Sequence, residues 1–414
     1  MVKTYQSIRG THDFGPQETR LFNMLVCMAR DIFKRCGYEE ISLPILEEEG
    51  LFKRGVGEAT DIVERQMFKI QDKEIVLRPE GTAQVIRYYL ENALHTQSDF
   101  YKFSYIGPMF RGERPQKGRL RQFHHIGVEA IGSAQPLIDA EVVSVALSIL
   151  EAMGITQKTL KINTLGCAED KERFARSLHQ SLAERKKELC EDCQRRLEKN
   201  PLRIVDCKEE RCKKVVASLA LGDSHLCESC RLHFRAVLAL LDGLGISYTH
   251  SPYLVRGLDY YTNTVFEITS EALGSQDAVG AGGRYNNLIT RLGGPDIPAI
   301  GFAFGVERVL LLLKESGEGA AIKVFVSVIG ETLRQESLNL IQTIRQAGIS
   351  CDTDYCAKSL KAQLRTAERK GAQFVIIMGE EEWKEGAVMI KNMAQSTQEK
   401  IKKQDILSFL KRYA

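Results

Sequence analysis

The segment Phe110-Arg-Gly-Glu-Arg-Pro-Gln-Lys-Gly-Arg-Leu-Arg-Gln-Phe-His-His-Ile-Gly-Val-Glu129 constrains the fold more than any other stretch of the chain. It lies across two runs that read as strands, Phe100 to Arg111 and Gln122 to Gly132, with Pro115 and Gly118 breaking the chain between them. An antiparallel pair joined by a basic loop follows. Arg111, Arg114, Lys117, Arg119 and Arg121 oppose only Glu113 before the second strand begins. Guanidinium groups stay charged and hold phosphates through paired N–H donors. Phe123 can stack on a base or an adenine ring, and Glu129 can accept hydrogen bonds from a substrate ammonium. A solvated basic hairpin is the bland alternative. The flanking aromatic, the Gly/Pro punctuation and the carboxylate favour a site for a polyanion.

Around this hairpin the chain reads as one α+β domain with an insertion. Thr19 to Cys36 places Leu21, Leu25, Met28, Ala29, Ile32 and Phe33 on one helical face and ends at Gly37. Ile41 to Leu46 reads as a strand, with Pro44 arguing for an edge or a kink. Met67 to Ile70 and Ile75 to Arg78 read as a hairpin, and Thr82 to Glu91 and Asp139 to Met153 as helices. Residues 168–242 then turn mostly helical, highly charged and rich in cysteine. They divide the domain into a first part, 1–167, and a second part, 243–318. In the second part Tyr253 to Thr269 and Gly280 to Arg284 read as strands, and Ile300 to Lys314 as a strand that becomes a helix. Glu315 to Ala320 reads as a linker. Residues 322–414 alternate strands with helices, the pattern of a separate small α/β domain with a largely parallel sheet.

Composition excludes several classes. The formal net charge of the 414 residues is only +3, so any nucleic-acid contact must rest on local charge. Such local charge exists on one face of the expected helix 359–370, where Lys358, Lys361, Arg365 and Arg369 align opposite Leu360, Leu364 and Ala367. The first ten residues lack an apolar h-region, and no apolar run approaches the length that spans a bilayer. A cytoplasmic protein without a membrane partner is expected. The eleven cysteines form an odd set, which favours reduced thiols or a metal site over a disulfide framework. The insertion holds Cys190-x-x-Cys193, Cys207, Cys212 and Cys227-x-x-Cys230. The two C-x-x-C pairs make Cys190, Cys193, Cys227 and Cys230 a candidate zinc site. Thiols packed between helices are the alternative.

No G-x-x-x-x-G-K-[ST] loop occurs, and no G-x-G-x-x-G follows a strand. His125-Ile-Gly-Val is like the histidine-rich signature of one synthetase class, but it sits in a strand and lacks that class's lysine-rich partner. The basic hairpin instead resembles motif 2 of the class II aminoacyl-tRNA synthetases. The region of Ile41 to Leu46 resembles motif 1, and Gly301-Phe-Ala-Phe-Gly-Val-Glu-Arg308 resembles motif 3. Leu254-Val-Arg-Gly-Leu-Asp-Tyr-Tyr-Thr-Asn-Thr-Val-Phe-Glu267 and Ala281-Gly-Gly-Arg-Tyr-Asn286 resemble the two histidine motifs of the histidyl-tRNA synthetase family. Arg78-Pro-Glu-Gly-Thr82 resembles that family's amino-acid loop. The likeness runs from Arg9-Gly-Thr-His-Asp13 into the C-terminal domain.

The resemblance implies a class II synthetase-like antiparallel sheet, a helical insertion, and a C-terminal α/β anticodon-binding domain. It implies a histidine–tRNA ligase that uses L-histidine, ATP with Mg2+, and tRNA(His), and that forms a homodimer. Arg256 and Arg111 would be the catalytic cations. Histidine would meet Glu80, Gly81, Thr82, Arg111, His125, Glu129, Arg256, Tyr260, Tyr261 and Tyr285. Of these, Glu80, Thr82 and Glu129 would take the ammonium, and Tyr261 and Tyr285 the imidazole. ATP would meet Arg111, Glu113, Arg119, Phe123 and Arg308. Arg114, Lys117 and Arg121, with Lys358, Lys361, Arg365 and Arg369, would face tRNA. Two positions depart from the family pattern: His125 stands where Gln is usual, and Asn286 where Asp is usual. A non-catalytic relative, either a regulatory subunit of histidine biosynthesis or a sensor of uncharged tRNA, is the alternative reading.

Overall fold

The computed structural model describes residues 5–58, 60–207, 209–219, 222–274, 277–313 and 322–413. In chain order the strands up to residue 305 are β1 (Glu39–Glu40), β2 (Leu46–Glu48), β3 (Phe68–Lys69), β4 (Ile75–Leu77), β5 (Tyr101–Phe110), β6 (Gln122–Ile131), β7 (Thr159–Thr164), β8 (Thr249–His250), β9 (Thr262–Thr269), β10 (Ala278–Arg284) and β11 (Ala299–Gly305). Eight of them form one sheet in the order β1-β5-β6-β11-β10-β9-β7-β8. Its centre is antiparallel, and the parallel pairs, β1 with β5 and β7 with β8, lie at its two edges. The expected hairpin of β3 and β4 is present, and β2 joins it in a second, 3-stranded sheet.

Side-chain parity assigns the two faces of the large sheet. On β6, Ile126, Val128 and Ala130 turn to one side. There, with Phe302, Phe304 and Phe266, they meet Leu25, Ile32 and Phe33 of the helix Pro16–Arg35 and Val142, Ala146 and Ile149 of the helix Pro136–Ala152. Each fully buried Val, Leu, Ile or Phe among them contributes about 1.5–3 kcal/mol of hydrophobic stabilisation. Phe123, His125 and Glu129 occupy the alternate positions and turn to the opposite side. One strand therefore carries core and chemistry on its two faces.

A buried ion pair anchors the end of β10. Arg284 and Asp139 are 1% and 0% exposed. The Arg284 guanidinium donates to Asp139, and also to the carbonyls of Ser133 (2.8 Å) and Gln135 (3.0 Å) at the start of the helix Pro136–Ala152.

Between β7 and β8 run the helices Ala168–Ala183, Glu191–Lys199, Leu202–Val205, Glu210–Ala217 and Glu228–Gly243. Leu178, Leu182, Leu189, Leu197, Ile204 and Val216 give this segment apolar packing continuous with that of Phe52 and Val56.

Two sequence expectations for residues 1–314 need correction. Residues 41–45 form no strand. The carbonyls of Leu43 and Pro44 turn away to accept from Arg78 (2.9 and 3.3 Å), and Pro44 O also accepts from Gln84 (3.0 Å). Side-chain donors thus replace a ladder that Pro44 could not complete. The expected strand over 253–269 begins only at Thr262. Before it, the Leu254 carbonyl accepts from Asn163 (3.1 Å) and the Asp259 amide donates to Val56 (3.1 Å), which holds residues 253–261 as a loop.

The chain divides into compact units at 1–314 and 315–414. In the second unit β12 (Val324–Val328), β13 (Cys351–Thr353), β14 (Phe374–Met378), β15 (Ala387–Asn392) and β16 (Gln398–Lys402) are ordered β13-β12-β14-β15-β16. Only β12 pairs in parallel, with β13 and β14; β14-β15-β16 is antiparallel. The sheet is therefore mixed rather than largely parallel. The stretch between β14 and β15, with the short helix Glu380–Lys384, is too brief for a parallel crossover. The strand β16 has no apolar alternation to announce it, as suits a charged edge. The expected linker at 315–320 lies outside the described residues. No helix among the described residues is long and apolar enough to cross a membrane.

Candidate active site

The cavity on the open face of the large sheet is floored by small residues. Glu129 pairs across β6 and β11 with Gly301, and His125 with Gly305. Ala303 pairs with Ala281 of β10. A Cβ on Gly301 would sit 1.8 Å from a Glu129 oxygen, so only glycine lets that carboxylate lie flat on the sheet. Around the floor stand Glu80, Thr82, Arg111, Glu113, Arg119, Phe123, His125, Glu129, Arg256, Tyr260, Tyr261, Tyr285 and Arg308. These residues come from five separate stretches of sequence, and the fold gathers them around one cavity. Gly81 lies just behind, where a Cβ would meet the Tyr105 ring at 2.4 Å.

Glu129 is the hub of the apolar end. It accepts from Tyr285 (2.5 Å), Thr82 (2.7 Å) and Tyr105 (3.3 Å). Burial, reinforced by the neighbouring Glu80 carboxylate, pushes its pKa up to about 8 against the pull of those donors. Glu80 is likewise raised by burial, although its oxygens accept from the amides of Thr82 (2.7 Å) and Ala83 (3.0 Å). Tyr260 packs on Tyr261 and edge-on to Tyr285, with ring centres 4.7 and 5.6 Å apart. Tyr285 is thus already bonded to Glu129, and the aromatic ring end of the cavity and the carboxylate form one unit.

The other end is cationic. Arg111 donates to the Pro79 carbonyl (2.8 Å), and its guanidinium lies 5.2 Å from the centre of the Phe123 ring. Arg119 contacts Glu113. Arg308 donates to Gly118 O (2.8 Å) and Ala278 O (2.7 Å), which ties the basic loop to the start of β10. Arg256 pairs with Glu267 at 2.5 Å and lies over the Tyr261 ring. Burial alone would lower its pKa, but Glu267 and Tyr261 more than offset this, so the cation is secure. Its Nε is buried without a hydrogen-bond partner among the described residues.

His125 is a half-buried base amid cations. Burial, then Arg111, Arg78 and Arg308, hold its pKa well below the usual histidine range. Its Nδ1 is sealed from solvent and has no partner among the described residues. A neutral ring that cannot take up a proton makes stability depend on pH with a definite sign. Below about pH 6.5 the unfolded chain binds a proton at this position and the folded chain does not. Stability then falls by up to about 1.4 kcal/mol per pH unit on acidification. Glu129 acts in the opposite direction, because its raised pKa keeps it protonated only in the folded state. Comparing wild type with His125→Gln isolates the first effect. Urea unfolding at pH 7 and pH 5 is expected to show the glutamine variant losing less stability than the parent. Parallel losses would show that His125 does not stay neutral in the fold.

Asn286 lies behind the cavity. Its side-chain oxygen accepts from Ala299 N (3.3 Å) and its amide nitrogen donates to Asn263 (3.4 Å). A carboxylate could accept the first bond but not donate the second, which gives the departure at this position a local reason.

The remaining expected residues fall elsewhere. Arg114 and Lys117 are exposed at the loop tip. Arg121 is largely engaged internally, with bonds to Arg9 O (3.2 Å) and Glu113 O (3.4 Å). Lys358, Lys361, Arg365 and Arg369 are all exposed along or beside the helix Leu360–Arg369. The four cysteines Cys190, Cys193, Cys227 and Cys230 do not converge. Cys190 and Cys193 group with Cys207 and Cys212, whereas Cys227 and Cys230 group with Cys167 and Asp170.

Sequence reading missed three residues of the site. Tyr105 bonds Glu129, Glu267 pairs with Arg256, and Glu307 accepts from the His124 amide at 3.0 Å through both oxygens. Strand parity carried a signal for the first two: Tyr105 pairs with Gly127, and Glu267 with the floor residue Ala281. Nothing local marks Glu307.

A family model described as Histidyl-tRNA synthetase matches residues 10–309, and one described as Anticodon binding domain matches residues 323–413. A protein of Halothermothrix orenii named Histidine--tRNA ligase is 44% identical over 400 residues, covering 95% of this chain and 96% of its own length. One of the same name from Pelobacter propionicus is 45% identical over 409 residues, covering 98% and 99%. Among solved structures, apo S. aureus histidyl-tRNA synthetase matches with a TM-score of 0.82 at 32% identity, covering 99% of this chain and 100% of that chain. The antiparallel sheet with its helices and the C-terminal α/β domain is the class II aminoacyl-tRNA synthetase architecture. The chain belongs to the histidyl-tRNA synthetase family.

Proposed function

We propose that this family member is a histidine–tRNA ligase, which forms histidyl-adenylate from L-histidine and ATP and then transfers histidine to the 3′ end of tRNA(His). The observation that carries the reading is a single cavity with half-buried cations at one end and a buried tyrosine–carboxylate cluster at the other. Activation brings the histidine carboxylate to the α-phosphorus of ATP, and the two anions repel. Cations fixed in place before reaction stabilise the crowded charge of the transition state without reorganising. Arg256 and Arg111 fit that task. Arg256 is pre-positioned by Glu267, and Arg111 by the Pro79 carbonyl.

At the other end, Thr82 and Glu80 suit the substrate ammonium. Resemblance assigns Glu129 to the ammonium as well. Its bond to Tyr285 suits it equally well to the imidazole, in a cluster that also holds Tyr260 and Tyr261. A pocket of this kind rejects apolar side chains, because they would leave buried polar groups unpaired. His125 adds a neutral ring nitrogen in place of an amide. Phe123 offers a face for adenine, and Arg119 and Arg308 suit the phosphates. ATP enters as its Mg2+ complex, and Glu113 is an oxygen donor at that end that fits the hard ion.

The exposed Arg114 and Lys117 suit the acceptor end of tRNA, and the Lys358–Arg369 stripe suits its anticodon arm. Arg121 contributes mainly to loop shape. A homodimer in the cytoplasm completes the reading. The non-catalytic alternative is disfavoured because Arg111, Arg256, Tyr261 and Arg308 all line the cavity and residues 323–413 match an anticodon-binding domain. The test is histidine-dependent exchange of pyrophosphate into ATP; folded protein that supports none is not a ligase.

A further inference from the structure

The four cysteines that do converge form one compact group. Cys190 precedes and Cys193 lies within the helix Glu191–Lys199, Cys207 follows the helix Leu202–Val205, and Cys212 lies in the helix Glu210–Ala217. All four are buried, Cys193 and Cys212 completely. Their sulfurs lie within 4.8 Å of one another, and those of Cys190 and Cys207 are 3.9 Å apart. A tetrahedron with zinc–sulfur bonds of about 2.3 Å puts its sulfurs roughly 3.8 Å apart. A disulfide needs about 2.05 Å, so the group has metal spacing rather than disulfide spacing.

The surroundings suit thiolates. The Cys193 amide donates to the Cys190 sulfur (3.4 Å), and the Cys190 amide to the Cys212 sulfur (3.2 Å). Amide donors of this kind orient and stabilise metal-bound sulfur. The Arg196 guanidinium lies beside Cys193 and offsets the negative charge of a four-thiolate site. The three helices that supply the ligands are short, the longest being nine residues. Small units of this kind commonly take folding energy from a metal.

The second cysteine group differs. Its Asp170 already accepts from the amides of Cys227 (3.0 Å) and Cys167 (3.3 Å) and contacts Arg173. That carboxylate is satisfied by its neighbours, and the group is complete without an ion.

We propose that Cys190, Cys193, Cys207 and Cys212 hold one structural zinc ion, and that Cys227 and Cys230 are not its ligands. The site has a connection to the cavity. The segment it clamps sends Arg203 to Asp61 (2.7 Å) and Asn200 to Asp259 (3.0 Å), three residues from Arg256. The metal therefore fixes the base of the insertion against the loop that carries the catalytic cation.

Elemental analysis of the full-length protein tests this. Stoichiometric zinc is expected as purified, or after reconstitution with zinc alone. It should be lost in Cys207→Ser and retained in Cys230→Ser. If Cys207→Ser fails to fold, alkylation of the unmodified chain decides. Under native conditions the four thiols should resist the reagent, then react together once a chelator removes the metal. Protein that binds no zinc in either preparation overturns the proposal. So do loss of zinc in Cys230→Ser, four thiols that react freely in the folded chain, or a Cys190–Cys207 disulfide.

Discussion

Replacing Arg256 by alanine is expected to slow histidyl-adenylate formation by about 10²–10³-fold, the range for removing one pre-positioned electrostatic donor. Histidine affinity should change far less, because the tyrosines, Thr82 and the carboxylates that recognise the free amino acid are untouched. The guanidinium is half-buried, paired with Glu267, and has a buried Nε without a partner among the described residues. It is held ready for charge that only the reaction supplies. Lysine at this position should recover little, since a point charge cannot reproduce a planar donor fork that also meets Glu267. Single-turnover adenylate formation, measured beside equilibrium histidine binding, separates the two steps. If affinity falls and the chemical step does not, Arg256 is a binding residue and not a catalytic one.

The largest effect on stability is expected from Asp139→Ala, at about 3–5 kcal/mol of destabilisation, the usual result of leaving a buried partner charge alone. Arg284 has virtually no access to solvent, and its remaining acceptors are the Ser133 and Gln135 carbonyls. The double variant Asp139→Ala/Arg284→Met should recover part of the loss, because it removes the stranded charge as well. Urea unfolding of the three proteins checks both statements. A single variant that unfolds within about 1 kcal/mol of wild type would show that the pair is dispensable. Tyr285 follows Arg284 directly, so histidine binding should weaken along with stability.

Much of the site is legible in the sequence because its residues alternate on a strand. In the run Gln-Phe-His-His-Ile-Gly-Val-Glu, Ile126 and Val128 turn to the helices and Phe123, His125 and Glu129 to the cavity. Arg111, Arg256 and Arg308 are legible through resemblance, since an isolated arginine is more often a surface cation. The loop at 253–261 is not legible, because its conformation depends on bonds to Asn163 and Val56, far away in sequence. Glu307, in the short helix Val306–Leu310, is hidden for the same reason, as its partner His124 belongs to β6. The cysteine grouping shows the limit of spacing. Two C-x-x-C pairs invite one site, but the helices between them bring Cys207 and Cys212 to the first pair and leave Cys167 and Asp170 with the second. In the C-terminal unit, strands separated by helical stretches suggest parallel pairing, but the short connection after β14 reverses the direction of the chain.

Whether the tyrosine–carboxylate end of this cavity selects histidine for activation can be read from ATP–pyrophosphate exchange with each amino acid in turn. Exchange is expected with histidine and essentially none with the others, including apolar residues of similar size. Exchange driven by a different amino acid, or none at all from folded protein that binds ATP, would contradict histidine selection by this pocket.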